Sequence, residues 1–373
     1  MTYQSLSINP SFSSIQMHSP TIFIDENIPF LAESLSLCGR IIRFSGRNIT
    51  NSDLKMRTAK HSFVRSITKV HSELLTGTNV RFVGTATAGT EHIDIEFLQR
   101  SGIQFASATG SNANSVAEYV LFAMLECFGS IREKTVGVIG YGNIGRRVAE
   151  YCRRYGARIL LHDPPLKARG YLFPDWAEYV SIMQLCGEAD CITNHVPLND
   201  VGPYPTRGLL GYNELNAMKH DAVLIHTSRG GVVDETELVR ILGTTDCRAA
   251  IDVWCGEPLI YKQLAKSAVL ATPHIAGYSL NAKINGARMM AEAYSAFSHC
   301  TPVYSVFDIP MVNYESDCKE SEIYTLLQKN RKLLTDSSLL QSSLLLSDTE
   351  RAREFDNQRK NYPERLESLK YND

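Results

Sequence analysis

Residues 135–165 read "TVGVIGYGNIGRRVAEYCRRYGARILLHDPP": a short apolar run, a turn of glycines, a helix-like stretch, and a second apolar run ending in an acid. Gly140-x-Gly142-x-x-Gly145 stands at the turn. In such a turn the first glycine allows a tight bend and the second lets the backbone approach a pyrophosphate. The third lets the helix pack closely on the strand. The helix start then aims free N–H groups and the positive end of its dipole at an anion. A glycine-rich turn alone is weak evidence, because structural βαβ units have them too. Here the next run ends in Asp163, about 20 residues on, where a carboxylate accepts from ribose hydroxyls. The same carboxylate repels a 2′-phosphate, so the reading is NAD rather than NADP. Gly140, Tyr141, Gly142, Asn143, Ile144 and Gly145 form the loop that would hold it.

The same rhythm continues along the chain. Five more short apolar runs follow: ARILLHD (157–163), DCITNHV (190–196), AVLIHTS (222–228), AAIDVW (249–254) and AVLATPH (268–274). Continuous runs of this kind suit strands buried on both faces of a parallel sheet. They predict an α/β, Rossmann-type doubly wound NAD-binding domain over residues 114–276. Upstream, TIFIDENIPF (21–30), SFVRSITKV (62–70) and VRFVGTATAG (80–89) read as strands. NSVAEYVLFAMLECFGSI (114–131) reads as a buried helix capped by Asn114 or Ser115. Residues 21–113, rejoined by 277–300, are expected to form a flavodoxin-like α/β substrate domain. Residues 1–20, rich in Ser and free of Lys and Arg, read as a disordered extension. Residues 301–373, with Ile323, Leu326, Leu327 and Leu334 at helical spacing, read as a small dimerisation segment.

Composition narrows the function classes. The 373 residues are 44% hydrophobic and 21% charged, with net charge −2, so no basic field suggests nucleic acid. No stretch reaches the roughly 18 uninterrupted apolar residues of a membrane span. The start lacks the basic and apolar parts of a secretory signal. The nine cysteines are scattered, without a Cys-x-x-Cys pair, and indicate neither a disulfide framework nor a metal site. The expected location is a reducing cytoplasm.

Three strand ends carry the chemistry. LIHTSRGGVVDE places Arg229, IDVWCGEP places Asp252 and Glu257, and ATPHIAGY places His274. Ligands of doubly wound sheets bind beyond such ends. Hydride transfer from a 2-hydroxy acid would use all three kinds of group. A fork-shaped arginine grips the carboxylate. A neutral imidazole takes the hydroxyl proton, and a carboxylate beside it steadies the imidazolium. Taken singly, Arg229 could be a surface ion pair, Glu257 a turn former and His274 a space-filling core residue. Together, behind a dinucleotide loop, they point to catalysis.

The segments GYGNIG…HDPP, TSRGGVVDE, DVWCGEP and TPHIAG together resemble the D-isomer-specific 2-hydroxyacid dehydrogenases. DENIPF, RSITKV, FVGTATAGTEHID, TPHIAGY and EFDNQRKNYPER are similar to the branch of that family acting on a phosphorylated hydroxy acid in vitamin B6 biosynthesis. The resemblance runs from about residue 21 to about 365 and is patchy after 300. It implies catalytic roles for Arg229, Glu257 and His274, and a homodimer. It implies NAD contacts at the glycine loop, Asp163, Val196, Thr227, Ser228, Arg229, Asp252 and Gly277. It implies contacts to a small phosphorylated substrate at Ser66, Thr87 and Tyr278. Arg65, beside Ser66, is a plausible counter-charge for the phosphate. The sequence departs from the family at His226, where Asn is commoner, at Cys255, where an acid is commoner, and at Val196, where Thr is commoner. His195 reads as structural, and residues 335–350 look shortened. Two other readings stay open: a related 2-hydroxyacid dehydrogenase, and an NAD-sensing protein that keeps the fold without the chemistry.

Overall fold

The computed structural model describes residues 19–308 and 319–369. The expected N-terminal extension lies almost wholly outside them, as do residues 309–318 and 370–373 of the C-terminal segment. The chain divides into two compact units, one of residues 1–108 and 287–308, the other of 109–286 and 309–373. The crossings at 108/109 and 286/287 differ from the expected 113/114 and 276/277, and the described part of the C-terminal segment belongs mostly to the second unit.

The first unit holds five strands: β1 (Thr21–Asp25), β2 (Arg40–Phe44), β3 (Ala59–Val64), β4 (Phe82–Thr85) and β5 (Gln104–Ser107). Every pair is parallel and the order is β2-β1-β3-β4-β5. This is the flavodoxin-like arrangement, with its switch between β1 and β3. The sequence reading missed β2 and β5, the two edges, because their residues are half-exposed and present no continuous apolar run. SFVRSITKV is a strand only as far as Val64; Thr68 N–H donates to Arg65 O, closing a turn that takes Arg65 and Ser66 out of the sheet. On one face, Tyr294 meets Phe63 and Phe82 edge-on at 5.5 and 5.6 Å.

Contrary to what their scatter suggests, the cysteines are not all unpaired. Two of the cysteines are paired: Cys38 and Cys300 form a disulfide with a Cα–Cα distance of 5.5 Å. They are 262 residues apart. Spacing could not reveal the pair, because the chain leaves this unit and returns to it only at residue 287.

The second unit holds seven strands: β6 (Thr135–Ile139), β7 (Arg158–His162), β8 (Ala177–Tyr179), β9 (Cys191–Asn194), β10 (Val223–His226), β11 (Arg248–Ile251) and β12 (Leu270–Ala271). The order β12-β11-β10-β9-β6-β7-β8 is a doubly wound sheet that reverses between β6 and β9. All six apolar runs of the sequence are strands of this sheet. β8, a three-residue edge, was missed. The buried helix spans Ala113–Phe128, with Asn112 rather than Asn114 or Ser115 at its start. Asn114 and Ser115 face inward instead: Asn114 Nδ2 donates to Glu367 and Ser115 Oγ to Ala276 O, each at 2.9 Å.

Helices Glu320–Arg331, Leu333–Ser343 and Asp348–Lys360 pack on this unit. Ile323 and Leu327 enter its core, whereas Leu334 stays exposed. Glu118, fully buried, lies 3.4 Å from Arg331 and 3.5 Å from Arg365. Such a buried pair orients segments more than it stabilises them, since desolvation offsets most of the attraction.

Candidate active site

The glycine loop sits at the sheet's switch point. Gly140 has φ 88°, a left-handed turn suited to glycine. A Cβ on Gly145 would collide with the Gly140 carbonyl, so the third glycine lets the helix sit down on β6. Gly142 differs: a Cβ there would meet nothing within 4 Å. Its space is open, and no side chain caps the helix Asn143–Arg154 that follows. The first N–H groups of a helix have no partner within it, so this end suits an anionic group. Thr227 Oγ1, buried and without a hydrogen-bond partner, is an orphaned polar group at the end of β10. These features fit a dinucleotide.

Asp163 stands where the sequence placed it, half-buried at the end of β7. One oxygen accepts from Tyr141 N–H at 2.8 Å and the other from Leu166 N–H at 2.9 Å. It therefore braces the glycine loop and caps the helix Pro164–Ala168, while its remaining lone pairs can accept from a ligand. Val196 lines the other side of the switch point, in contact range of any Cβ on Gly140. Ser228 donates its hydroxyl to Asn194, which also pairs with His226 at the centre of the sheet. Burial drives the pKa of His226 down to about 3, and that of His195 likewise to about 3. Both are neutral interior imidazoles.

His274 and Glu257 come together. His274 Nδ1 lies 2.9 Å from Glu257 Oε2. The other carboxylate oxygen accepts from Trp254 N–H at 2.9 Å. Burial opposes the charge on Glu257, but the His274 hydrogen bond and charge, the Trp254 N–H and Arg359 outweigh it and hold the carboxyl below its usual range. A carboxylate only accepts, so the proton of the pair resides on Nδ1 of the imidazole, and Nε2 keeps its lone pair. His274 itself has φ 58°, left-handed for a non-glycine residue.

Asp252 enforces that conformation. It is 1% exposed and accepts from Thr272 Oγ1 at 2.7 Å, Ile275 N–H at 2.8 Å and Ala276 N–H at 2.9 Å. Tyr119 of the buried helix backs Thr272 at 2.7 Å, and Trp254 Nε1 donates to Thr272 O. Asp252 thus builds the loop that presents His274, a role the sequence did not suggest. Arg229 is half-buried on the loop after β10, with Nη1 donating to its neighbour Ser228 O at 2.8 Å. Gly277 abuts Asn112, where a Cβ would collide. Tyr278 meets Tyr362 edge-on at 5.9 Å.

In the first unit, β3 and β4 pair through Val64 and Thr85, which brings Arg65, Ser66 and Thr87 to one end of that sheet. Arg65 Nη1 donates to Asn27 O at 3.1 Å, and Ser66 is exposed. Thr87 joins an internal chain with Thr85 at 2.8 Å and donates to Gly89 O at 3.1 Å.

Comparison with known proteins shows the family. Residues 122–276 match the NAD binding domain of the D-isomer specific 2-hydroxyacid dehydrogenases. An erythronate-4-phosphate dehydrogenase of Pseudomonas paraeruginosa is 38% identical, covering 93% of this chain and 93% of its own. One from Escherichia fergusonii is 41% identical over 74% of this chain and 73% of its own. The NAD+-bound 3-phosphoglycerate dehydrogenase of Entamoeba histolytica superposes with TM-score 0.61 at 25% identity, covering 75% of this chain and 96% of its own. With its nucleotide loop at the switch point of a parallel sheet and a relative this similar along nearly its whole length, the chain is an NAD-dependent dehydrogenase and belongs to the erythronate-4-phosphate dehydrogenase family, within the D-isomer specific 2-hydroxyacid dehydrogenases.

Proposed function

We propose that this chain oxidises 4-phospho-D-erythronate at C2 to 2-oxo-3-hydroxy-4-phosphobutanoate, a step of vitamin B6 biosynthesis. The names of its relatives supply the substrate. The observation that carries the chemistry is the 2.9 Å pair of His274 and Glu257 on a loop pinned by Asp252. NAD, when bound, supplies the acceptor for the hydrogen that leaves C2 with its electron pair. Gly140, Tyr141, Gly142, Asn143, Ile144, Gly145, Asp163, Val196, Thr227, Ser228, Asp252 and Gly277 are the residues assigned to hold it. Nε2 of His274 takes the proton of the C2 hydroxyl. Glu257 keeps the ring oriented and balances the imidazolium that results. Arg229 grips the carboxylate and the oxygen at C2, so charge developing there meets a fixed cation. Ser66, Thr87 and Tyr278 contact the substrate, and Arg65 meets its phosphate.

The test is a panel of phosphorylated and unphosphorylated 2-hydroxy acids assayed by NADH absorbance. The reading requires 4-phospho-D-erythronate to give the highest kcat/KM. Preference for 3-phosphoglycerate or glycolate would move the chain to a sister activity, and turnover of none would leave an NAD-binding protein. We also infer a cytoplasmic homodimer. Exposed Leu339, Leu345 and Leu346 in the C-terminal segment support the dimer. The six cysteines unpaired among the described residues support a reducing compartment, and the Cys38–Cys300 disulfide counts against it. Light scattering and cell fractionation test the two.

A further inference from the structure

The helix Asp348–Lys360 brings the site a cation that this chemistry does not use. Arg359 Nη1 stands 3.9 Å from Glu257 Oε2, the same oxygen that pairs with His274 Nδ1. The guanidinium lies over the buried ring of Phe355, 5.9 Å from its centroid, and its Nε is buried without a hydrogen-bond partner. At 3.9 Å the contact with Glu257 is an ion pair and not a hydrogen bond, so it acts through charge.

The reaction makes a specific demand on that carboxylate. Before the substrate reacts, His274 has to be neutral, and Glu257, 19% exposed, has to be ionised beside it. An ionised carboxyl mostly out of water and facing a neutral ring tends to take up a proton. A protonated Glu257 would donate to Nδ1, the ring would carry its own proton on Nε2, and that tautomer cannot accept the hydroxyl proton. Among the described residues, the ion pairs of Glu257 are with His274 and Arg359. Other titratable groups near the pair do not help: Glu235 is a like charge, Asp252 faces His274 as a carboxylate held by its loop, and His226 is neutral in the interior. Arg359 is the permanent cation of the set.

We propose that Arg359 is a positioning residue of this reaction: its charge adds to the Trp254 N–H in keeping Glu257 an acceptor on Nδ1 of His274 and so favours the tautomer whose Nε2 is the base. The inference rests on the roles given above to Glu257 and His274. It also gives the C-terminal segment a part in the active site that a dimerisation role leaves out.

A double-mutant cycle on the full chain separates the possibilities. R359Q, E257Q and the double variant are compared at saturating NAD with 4-phospho-D-erythronate, alongside R359K, with thermal unfolding of each. R359Q is expected to lower kcat about tenfold while KM for NAD moves less than about twofold. R359K recovers most of the loss. In the E257Q background R359Q has no further effect, because the group it acts through is gone. The acidic limb of turnover moves to higher pH in R359Q, where burial of Glu257 is less opposed. A loss of equal size in both backgrounds, or an R359K as slow as R359Q, overturns the proposal. Should R359Q fail to fold, R359M, which keeps the unbranched stem along Phe355, runs the same cycle. An E257Q enzyme as fast as the unmodified one would instead overturn the reading of the site itself, whereas a slow E257Q with an additive R359Q removes Arg359 alone.

Discussion

His274 shows how much one residue's surroundings decide. Its backbone is left-handed, its Nδ1 is committed to Glu257, and its loop is held by three hydrogen bonds to the Asp252 carboxylate. Replacing it with Gln keeps the size and removes the base. Turnover at saturating NAD should fall about 10²-fold or more, and rates matching the unmodified enzyme would show that another group takes the proton. The interior imidazoles behave differently. His226 and His195 have pKa values near 3 and His61 near 4, each lowered first by burial, against 6.5 when unfolded. Below pH 6.5 the unfolded chain therefore binds protons that the folded chain refuses, so stability falls as pH drops from 6.5 toward 4. The slope is about 1.4 kcal/mol per pH unit for each such group. Denaturant melts at pH 7, 6 and 5 check this, and H226N should flatten the slope by one group's share. Glu257 is displaced downward too, but for a carboxylate that direction stabilises the fold: its share is present above the ordinary carboxyl range and is lost as pH falls through the lowered value.

At the scale of the element, the turn from β6 into helix Asn143–Arg154 separates two uses of glycine. Gly145 serves packing, because a methyl group there runs into the Gly140 carbonyl, which is backbone and cannot swing away. G145A should lower stability by about 1–3 kcal/mol and weaken NAD binding with it. Gly142 serves the ligand, since a methyl group there touches no part of the protein and its φ of −82° suits alanine. G142A should melt within about a degree of the unmodified protein yet bind NAD markedly less well. Fluorescence titration with NAD beside thermal unfolding distinguishes the two; equal melting losses for both variants would mean that Gly142 too is there for packing. These glycines were legible in the sequence because a strand-turn-helix unit is local. The strands β2, β5 and β8 were not, because these three edge strands are partly exposed and lack the apolar run that marks a strand buried on both faces.

At the scale of the whole molecule, the chain's last stretch closes the second unit by burying charge. Glu118 sits between Arg331 and Arg365, and also accepts from the backbone N–H groups of Ser368 and Leu369. Removing its carboxylate with E118A leaves two buried guanidinium groups with reduced compensation and should cost about 3–5 kcal/mol, read as a lowered denaturation midpoint. An E118A protein as stable as its parent would mean that those charges find water. The same stretch brings Tyr362 to Tyr278 and Arg359 to Glu257, so damage to this packing should reach turnover as well as stability. By itself the sequence determined the two parallel α/β sheets and the glycine loop, and it marked Arg229, Glu257 and His274 as candidates, of which Glu257 and His274 do meet. Those signals are local: apolar runs, a glycine turn, and polar residues at strand ends that a parallel sheet must bring to one edge. Only the tertiary structure decided that Asp252 holds the His274 loop, that Cys38 meets Cys300, and that Arg359 stands beside Glu257. Each of those pairings depends on where distant segments cross, and composition and spacing carry no record of that.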